Sequence, residues 1–481
     1  MKRIKRTHRA YGAFCLVCAL LFFGCAAGEP GAQRAPNPGS QGNSKPITTN
    51  LTANLAPSAV QGETANAAAV TQFGALLVAE AMKLDAENPV ISPLSAYFAL
   101  AMAADGAAGD TLAEFGALLG LSGAELDALC AGLAQALMEN AGSTELSIAN
   151  SAWIDTCEAL VVEESWLNAV KAAMGAEAIS ADLSTQEAVA AINDWVKKNT
   201  NGLIPSLREE PYQDDVMLVL LNALYFKAKW QSPFEAEDTH EAAFTVAGGE
   251  AVQTEFMQDW GCYRDYIESE GVCGTVLPYD DGKTAFLALL PREGTDVRAF
   301  AATLDAEQIA SYLAAVQSGT YMDLLIPKFT AETEFKMNDA LKAMGLVQAF
   351  DPEKADFTAM GHAGDAPLYI GNVLQKVKLI VDEEGTEAAA VTSVEMAAGC
   401  AMPPPVKVEL RFDRPFAYAV IDLATGVPMF LGVMENPEAG ESIRARALRG
   451  LCFFRSRIIF PRRSRRPRRS FPPWWSQFHW G

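Results

Sequence analysis

The chain has 481 residues, half hydrophobic and a fifth charged, with a net charge of −21. That composition is globular with ample material for a core. Residues 442–481 hold eleven arginines and no acid, leaving −32 on the remainder, and so acidic a body argues against nucleic acid or an anionic membrane surface as its partner.

The basic residues Lys2, Arg3, Lys5, Arg6 and Arg9 precede an apolar run, Ala13 to Phe23. The run is too short to span a bilayer and suits a secretion signal, assigned to 1–24. Gly24-Cys25-Ala26 is similar to a lipobox, in which the cysteine is acylated, although Phe22 and Phe23 stand where an aliphatic and a small residue are usual. Lipidation of Cys25 would place the protein on a membrane surface; ordinary cleavage nearby would release it. Residues 25–65, rich in Gly, Pro, Asn, Ser and Thr, are expected to form a disordered tether. No linker-like break follows, so 66–440 reads as one large domain despite a length prior of roughly three.

Cys15 and Cys18 carry the chain's one C-x-x-C spacing, inside the signal, and structural zinc is not expected. Cys262 and Cys273 flank an expected strand-turn-strand and either pair in an oxidising compartment or stand as independent thiols. Of the histidines, His240 and His362 lie in the body, and both read as solvated surface residues rather than as bases beside a nucleophile. No G-x-S-x-G, H-E-x-x-H, P-loop or dinucleotide fingerprint occurs. The acidic pairs Glu209-Glu210 and Asp280-Asp281 read as solvated turns. The chain is therefore expected not to be an enzyme and to need no cofactor.

The most distinctive stretch begins at Glu383-Glu384-Gly385. Thr386, Ala388, Ala390, Thr392, Val394 and Met396 alternate with Glu387, Ser393 and Glu395. Charge confined to one parity is the pattern of a strand with one buried face. Yet the segment lies between a glycine and Pro403 to Pro405, which donate no ladder hydrogen bonds. Such a segment reads as a mobile loop built to become a strand, with small residues at Ala388 to Ala390 easing its entry between existing strands.

This stretch resembles the reactive-centre-loop hinge of the serpin family. Other blocks resemble the family in order: Asn88-Pro89-Val90-Ile91-Ser92-Pro93-Leu94-Ser95, Ile192-Asn193-Asp194-Trp195-Val196, Leu221-Asn222-Ala223-Leu224-Tyr225-Phe226-Lys227, Leu277-Pro278-Tyr279, Pro327-Lys328-Phe329, Asp413-Arg414-Pro415-Phe416 and Asn436-Pro437. The resemblance implies an α+β fold with three β-sheets, about eight or nine helices and an exposed reactive-centre loop. It further implies a monomeric suicide inhibitor that forms a covalent complex with its target protease. The loop hinge would comprise Glu383, Glu384, Gly385, Thr386, Glu387, Ala388, Ala389 and Ala390. Ser92, Pro93, Ser95, Asn222, Trp230 and Gln375 would mark where the main sheet parts. Gln375 stands where many members carry a histidine, so sheet opening is expected to persist without pH sensitivity at that position.

At the family's usual spacing from Glu383, the scissile bond falls between Gly399 and Cys400, with Ala398, Cys400 and Met402 open as the specificity residue. All are small or apolar, which suits elastase- or subtilisin-like serine endopeptidases and disfavours trypsin-like ones. A cysteine protease target and a non-inhibitory surface binding protein of the same fold are the alternatives. The tail, 441–481, adds Phe453, Phe454, Trp474, Trp475 and Trp480 to its arginines; it reads either as a mis-assigned, disordered end or as a binding segment for anionic lipid, cell-wall polymer or nucleic acid. Secretion to the extracellular space or the bacterial surface completes the expectation.

Overall fold

A computed structural model describes residues 48–138, 144–156, 160–213, 216–364, 368–386 and 407–440. Among these residues lie nine α-helices and sheets of seven, nine and two strands. The α+β architecture is the expected one.

The helix Pro93–Gly106 forms the centre. Ser92 caps it, its hydroxyl accepting from the Ser95 N–H at 3.2 Å, and Pro93 occupies the first turn, where its missing N–H costs nothing. Nearly every residue of this helix is buried, as its all-round apolar sequence requires. A Cβ at Gly106 would meet the Met360 side chain at 2.6 Å, so glycine lets the helix end pack closely.

Over this helix lies the seven-stranded sheet, in the order Thr48–Asn50, Glu177–Ala181, Glu145–Asp155, Leu218–Lys229, Gly385–Thr386, Asn372–Val381 and Phe329–Lys336. Asn372–Val381 alternates strictly between half-buried and buried positions, the period-two pattern of a strand with one face on the core. In the nine-stranded sheet, Ala251–Ser269 pairs with both Val272–Pro278 and Val316–Pro327, and the last of these also takes Val408–Arg411 as a parallel neighbour.

Two expectations are corrected, and one open alternative, at Cys262 and Cys273, is decided. The tether expected over 25–65 gives way to structure by Thr48: Thr48–Asn50 adds an antiparallel edge strand to Glu177–Ala181, and Lys171 Nζ donates to the Thr52 and Leu55 carbonyls at 2.6 and 2.7 Å. Farther on, the Glu63 N–H donates to the Ala128 carbonyl at 2.8 Å. Few large apolar residues are needed here, because sheet pairing and a buried Thr52 supply the anchorage. Cys262 and Cys273 are both free thiols. Cys273 stands opposite Glu268, six positions from Cys262 along Ala251–Ser269, a separation of about 20 Å that no disulfide bridges. Asp281, expected in a solvated turn, is buried and accepts from the hydroxyls of Thr144 and Thr284 at 2.9 and 2.6 Å.

The signal 1–24, Cys25 and the tail 441–481 lie outside the described residues. So do Glu387, Ala388, Ala389, Ala390, Gly399 and Cys400.

Candidate functional site

Two long strands of the main sheet, Leu218–Lys229 and Asn372–Val381, define the site. At one end they pair directly and in parallel, Asn372 with Val219 and Val373 with Leu220. At the other end they are held apart by Gly385–Thr386, which pairs antiparallel with both: Gly385 with Lys229, Thr386 with Ala228, and Val381 with Thr386. Two residues of the expected loop hinge thus already serve as the first rungs of a central strand.

The geometry explains the residue types. A Cβ on Gly385 would fall onto the Ala228 carbonyl oxygen and 2.8 Å from the Lys229 Cα, with φ at 156°, so only glycine fits there. Thr386 is 1 % exposed, and its hydroxyl lies 2.6 Å from the Tyr279 hydroxyl. Tyr279 in turn stacks on Trp230, with ring centroids 4.8 Å apart and planes 9° from parallel. Burial pushes the Tyr279 phenol well above its ordinary pKa, so it stays a neutral hydrogen-bonding group.

Trp230 fixes the turn into the hinge by donating from Nε1 to the Asp382 carbonyl at 2.9 Å and from its backbone N–H to the Glu384 carbonyl at 2.8 Å. The Glu383 carboxylate accepts from Thr239 Oγ1 at 2.8 Å and meets Lys328 Nζ at 3.1 Å. Burial raises the Glu383 pKa, but the group's own backbone N–H, Thr239 and Lys328 together outweigh burial and hold it below the ordinary value. Asp382 goes the other way: burial raises it beyond what the Glu384 and Gly385 N–H groups recover. Its Oδ1 accepts from both, at 3.0 and 3.3 Å, which shapes the turn.

Beneath the sheet a polar network ties the strands to the central helix. Gln375 brackets Ser92, accepting from its N–H at 3.0 Å and donating to its carbonyl at 2.8 Å. The Ser95 hydroxyl donates to Asn222 Oδ1; Asn222 Nδ2 donates to Asn150 Oδ1 at 2.6 Å, and Asn150 Nδ2 to the Met174 carbonyl at 3.2 Å. Expected sheet-opening residues therefore form two groups: Ser92, Ser95, Asn222 and Gln375 under the sheet, with Pro93 in the helix turn above Ser92, and Trp230 at the hinge. Sequence reasoning gave no role to Asn150, Thr239, Tyr279 or Lys328. His240 and His362 are both exposed, His240 beside the Asp238 carbonyl and His362 3.9 Å from Glu163.

Residues 68–437 match the family described as Serpin (serine protease inhibitor). The chain belongs to the serpin family. Its relatives include Iripin-8 of Ixodes ricinus, 31% identical over 79% of this chain and 96% of that protein, and a serine protease inhibitor of Cyanea capillata, 29% identical over 79% and 100%. Among solved structures, the thermophilic serpin tengpin in its native state is 32% identical, with a TM-score of 0.74, over 81% of this chain and 99% of that one. The latent state of tengpin gives a TM-score of 0.67 over 78% and 99%, at 30% identity, so the present serpin is the more similar to the native form. Protease inhibition is the family's general function, and its members act on proteases as inhibitors rather than as catalysts.

Proposed function

We propose that this serpin is a suicide inhibitor of serine endopeptidases with shallow, elastase- or subtilisin-like primary pockets. The protease attacks the bond between Gly399 and Cys400, the acyl-enzyme forms, and the freed loop enters the main sheet between Leu218–Lys229 and Asn372–Val381. The carried protease is distorted before water resolves the ester. The driving free energy comes from strand pairing and burial that the uncleaved chain has not yet gained.

The observation that supports this reading most is the register of the two hinge residues. Continuing the pairing of Thr386 with Val381 and Ala228 sets Ala388 between Leu379 and Phe226, and Ala390 between Val377 and Leu224. Thr392 then falls between Gln375 and Asn222, and Val394 between Val373 and Leu220, the pair that now joins the strands directly. Every partner on Asn372–Val381 in this series is buried, so the small and apolar parity of the loop meets the core while Glu387 and Glu395 take the other face. Thr392 arrives where two amides already form hydrogen bonds, which a hydroxyl joins at little cost.

Action outside the cell, with the protein either held to a bacterial membrane through Cys25 or released, belongs to the same proposal and is supported by the N-terminal sequence. A second reading keeps the fold without inhibition; human thyroxine-binding globulin complexed with thyroxine is 26% identical with a TM-score of 0.68, over 77% of this chain and 98% of that one. Mixing the protein with elastase, subtilisin, trypsin and papain separates the two. A boiling-resistant band at the summed mass, with a new N-terminus at Cys400, is expected for elastase or subtilisin. Cleavage without such a band for every protease favours the binding-protein reading, and a band with papain alone redirects the target to cysteine proteases.

A further inference from the structure

Among the described residues two large aromatic side chains stand exposed: Trp260 is 60% and Tyr263 66% exposed. They flank an irregularity in the pairing of Ala251–Ser269 with Val316–Pro327, where Asp259 pairs with Leu324 but Cys262 pairs with Met322. The irregularity is built rather than loose. Gly261 sits at φ 59°, its N–H donates to Asp323 Oδ1 at 2.8 Å, and a Cβ there would meet the Tyr321 hydroxyl at 2.8 Å. Arg264, itself buried, grips Asp259 Oδ2 at 2.6 Å and spans the same bulge. Tyr263 leans on Tyr321, with ring centroids 5.3 Å apart. The fold thus fixes aromatic side chains that stay exposed among the described residues.

This surface adjoins the end of the reactive loop. Lys407 Nζ lies 2.5 Å from Asp323 Oδ2, so the carboxylate that fixes the bulge also anchors the residue just before the strand Val408–Arg411. From Lys407 the chain enters Val408–Arg411, paired with Val316–Pro327 from Met322 onward, beside Tyr321. Gly399 is eight residues upstream of Lys407, which bounds its separation at about 28 Å. A protease of about 250 residues has a radius of gyration of about 18 Å, comparable with that bound, so one seated on that bond comes within reach of the ground around Lys407. Exposed Trp and Tyr on a rigid support are the side chains that most often anchor protein interfaces.

We infer that Trp260 and Tyr263, backed by Tyr321, form a secondary docking surface for the protease held at the reactive loop. Their contribution falls on the encounter complex and therefore on the rate of loop attack, not on the partition between trapping and release. This inference rests on the proposed attack at Gly399, and its test is built to separate the two. Loop consumption, whether it ends in a covalent complex or in simple cleavage, is followed by mass spectrometry for the wild type and for Trp260→Ala/Tyr263→Ala, using elastase and subtilisin.

The expected result has two parts: a drop in second-order rate of about fivefold or more in the double variant, and an unchanged ratio of complex to cleaved product. Recovery of the rate in Tyr263→Phe over Tyr263→Ala, at equal thermal stability, ties the effect to the ring. The loss of rate remains readable even if the wild type is only cleaved, in which case trapping fails and the docking surface stands. Unchanged consumption by both proteases, or no attack on the loop by either, overturns the inference. So does a double variant that loses self-association in sedimentation while keeping the wild-type rate.

Discussion

The Tyr279 hydroxyl meets the Thr386 hydroxyl at 2.6 Å inside the core, under the stacked ring of Trp230. The hinge is therefore seated by side-chain chemistry as well as by strand pairing. Replacing Tyr279 with Phe removes one buried hydrogen bond and should lower stability by about 1 kcal/mol while leaving trapping intact. Thr386→Arg puts a charged side chain at a position that is 1% exposed and is expected to give cleaved product with no covalent band. Gel densitometry of complex against cleaved chain reads both.

Gly385 is the second point of leverage. Gly385→Val drives a side chain into the Ala228 backbone and should expel the two hinge residues from the sheet. The expected readout is faster amide exchange at Thr386 and Val381, with a lower unfolding midpoint. Exchange unchanged from wild type at both positions would contradict the packing described here.

Glu383 predicts a dependence on acid. Its folded pKa lies below the ordinary 4.5, so the stabilisation it gives through Thr239 and Lys328 is complete above that value and fades as pH falls through the folded one. Asp382, raised by burial, has the opposite sign: its contribution grows as pH falls through its folded pKa toward the ordinary 3.8. Glu383→Gln should therefore weaken the hinge at pH 7 by an amount that shrinks as pH falls below 4.5, and Lys328→Met should follow it. Hydrogen exchange at Gly385 across pH 3 to 7, corrected for intrinsic rates, measures this.

A second titrating element lies far from the hinge. Asp105, at the end of Pro93–Gly106, is pushed up to about 8 by burial first and by the charge of Asp127 second; Asp127 is raised too. One oxygen on each lacks a hydrogen-bond partner. Because the folded value exceeds the unfolded one, stability falls as pH rises from about 4 to about 8 and then levels. Asp105→Asn should add on the order of 1–3 kcal/mol at pH 8 and little at pH 4. Thermal unfolding of the two proteins at both values gives the comparison.

Much of the hinge was legible in the sequence because strand parity is a local property. Gly385 and Thr386 announce a pivot and a buried position by residue type and spacing alone. Ser92 and Pro93 announce a helix start in the same way. The polar network beneath the sheet was less legible: Asn150 comes from a strand 72 residues away from Asn222, and no local pattern signals that meeting. Thr48 to Leu55 misled because polar composition resembles a tether, whereas its order comes from an exposed sheet edge and from Lys171, both remote in sequence. Asp281 misled for a related reason, since two acids in a row suggest solvent until Thr144 and Thr284 close over one of them.

The central claim is that the cleaved loop becomes a strand between Leu218–Lys229 and Asn372–Val381. Amide hydrogen exchange of residues 221–227 and 374–380, before and after cleavage of the loop, tests it most directly. Insertion predicts protection rising about tenfold or more across both segments, together with loss of the direct pairing of Val373 with Leu220. Unchanged exchange in both segments after complete cleavage would contradict the account.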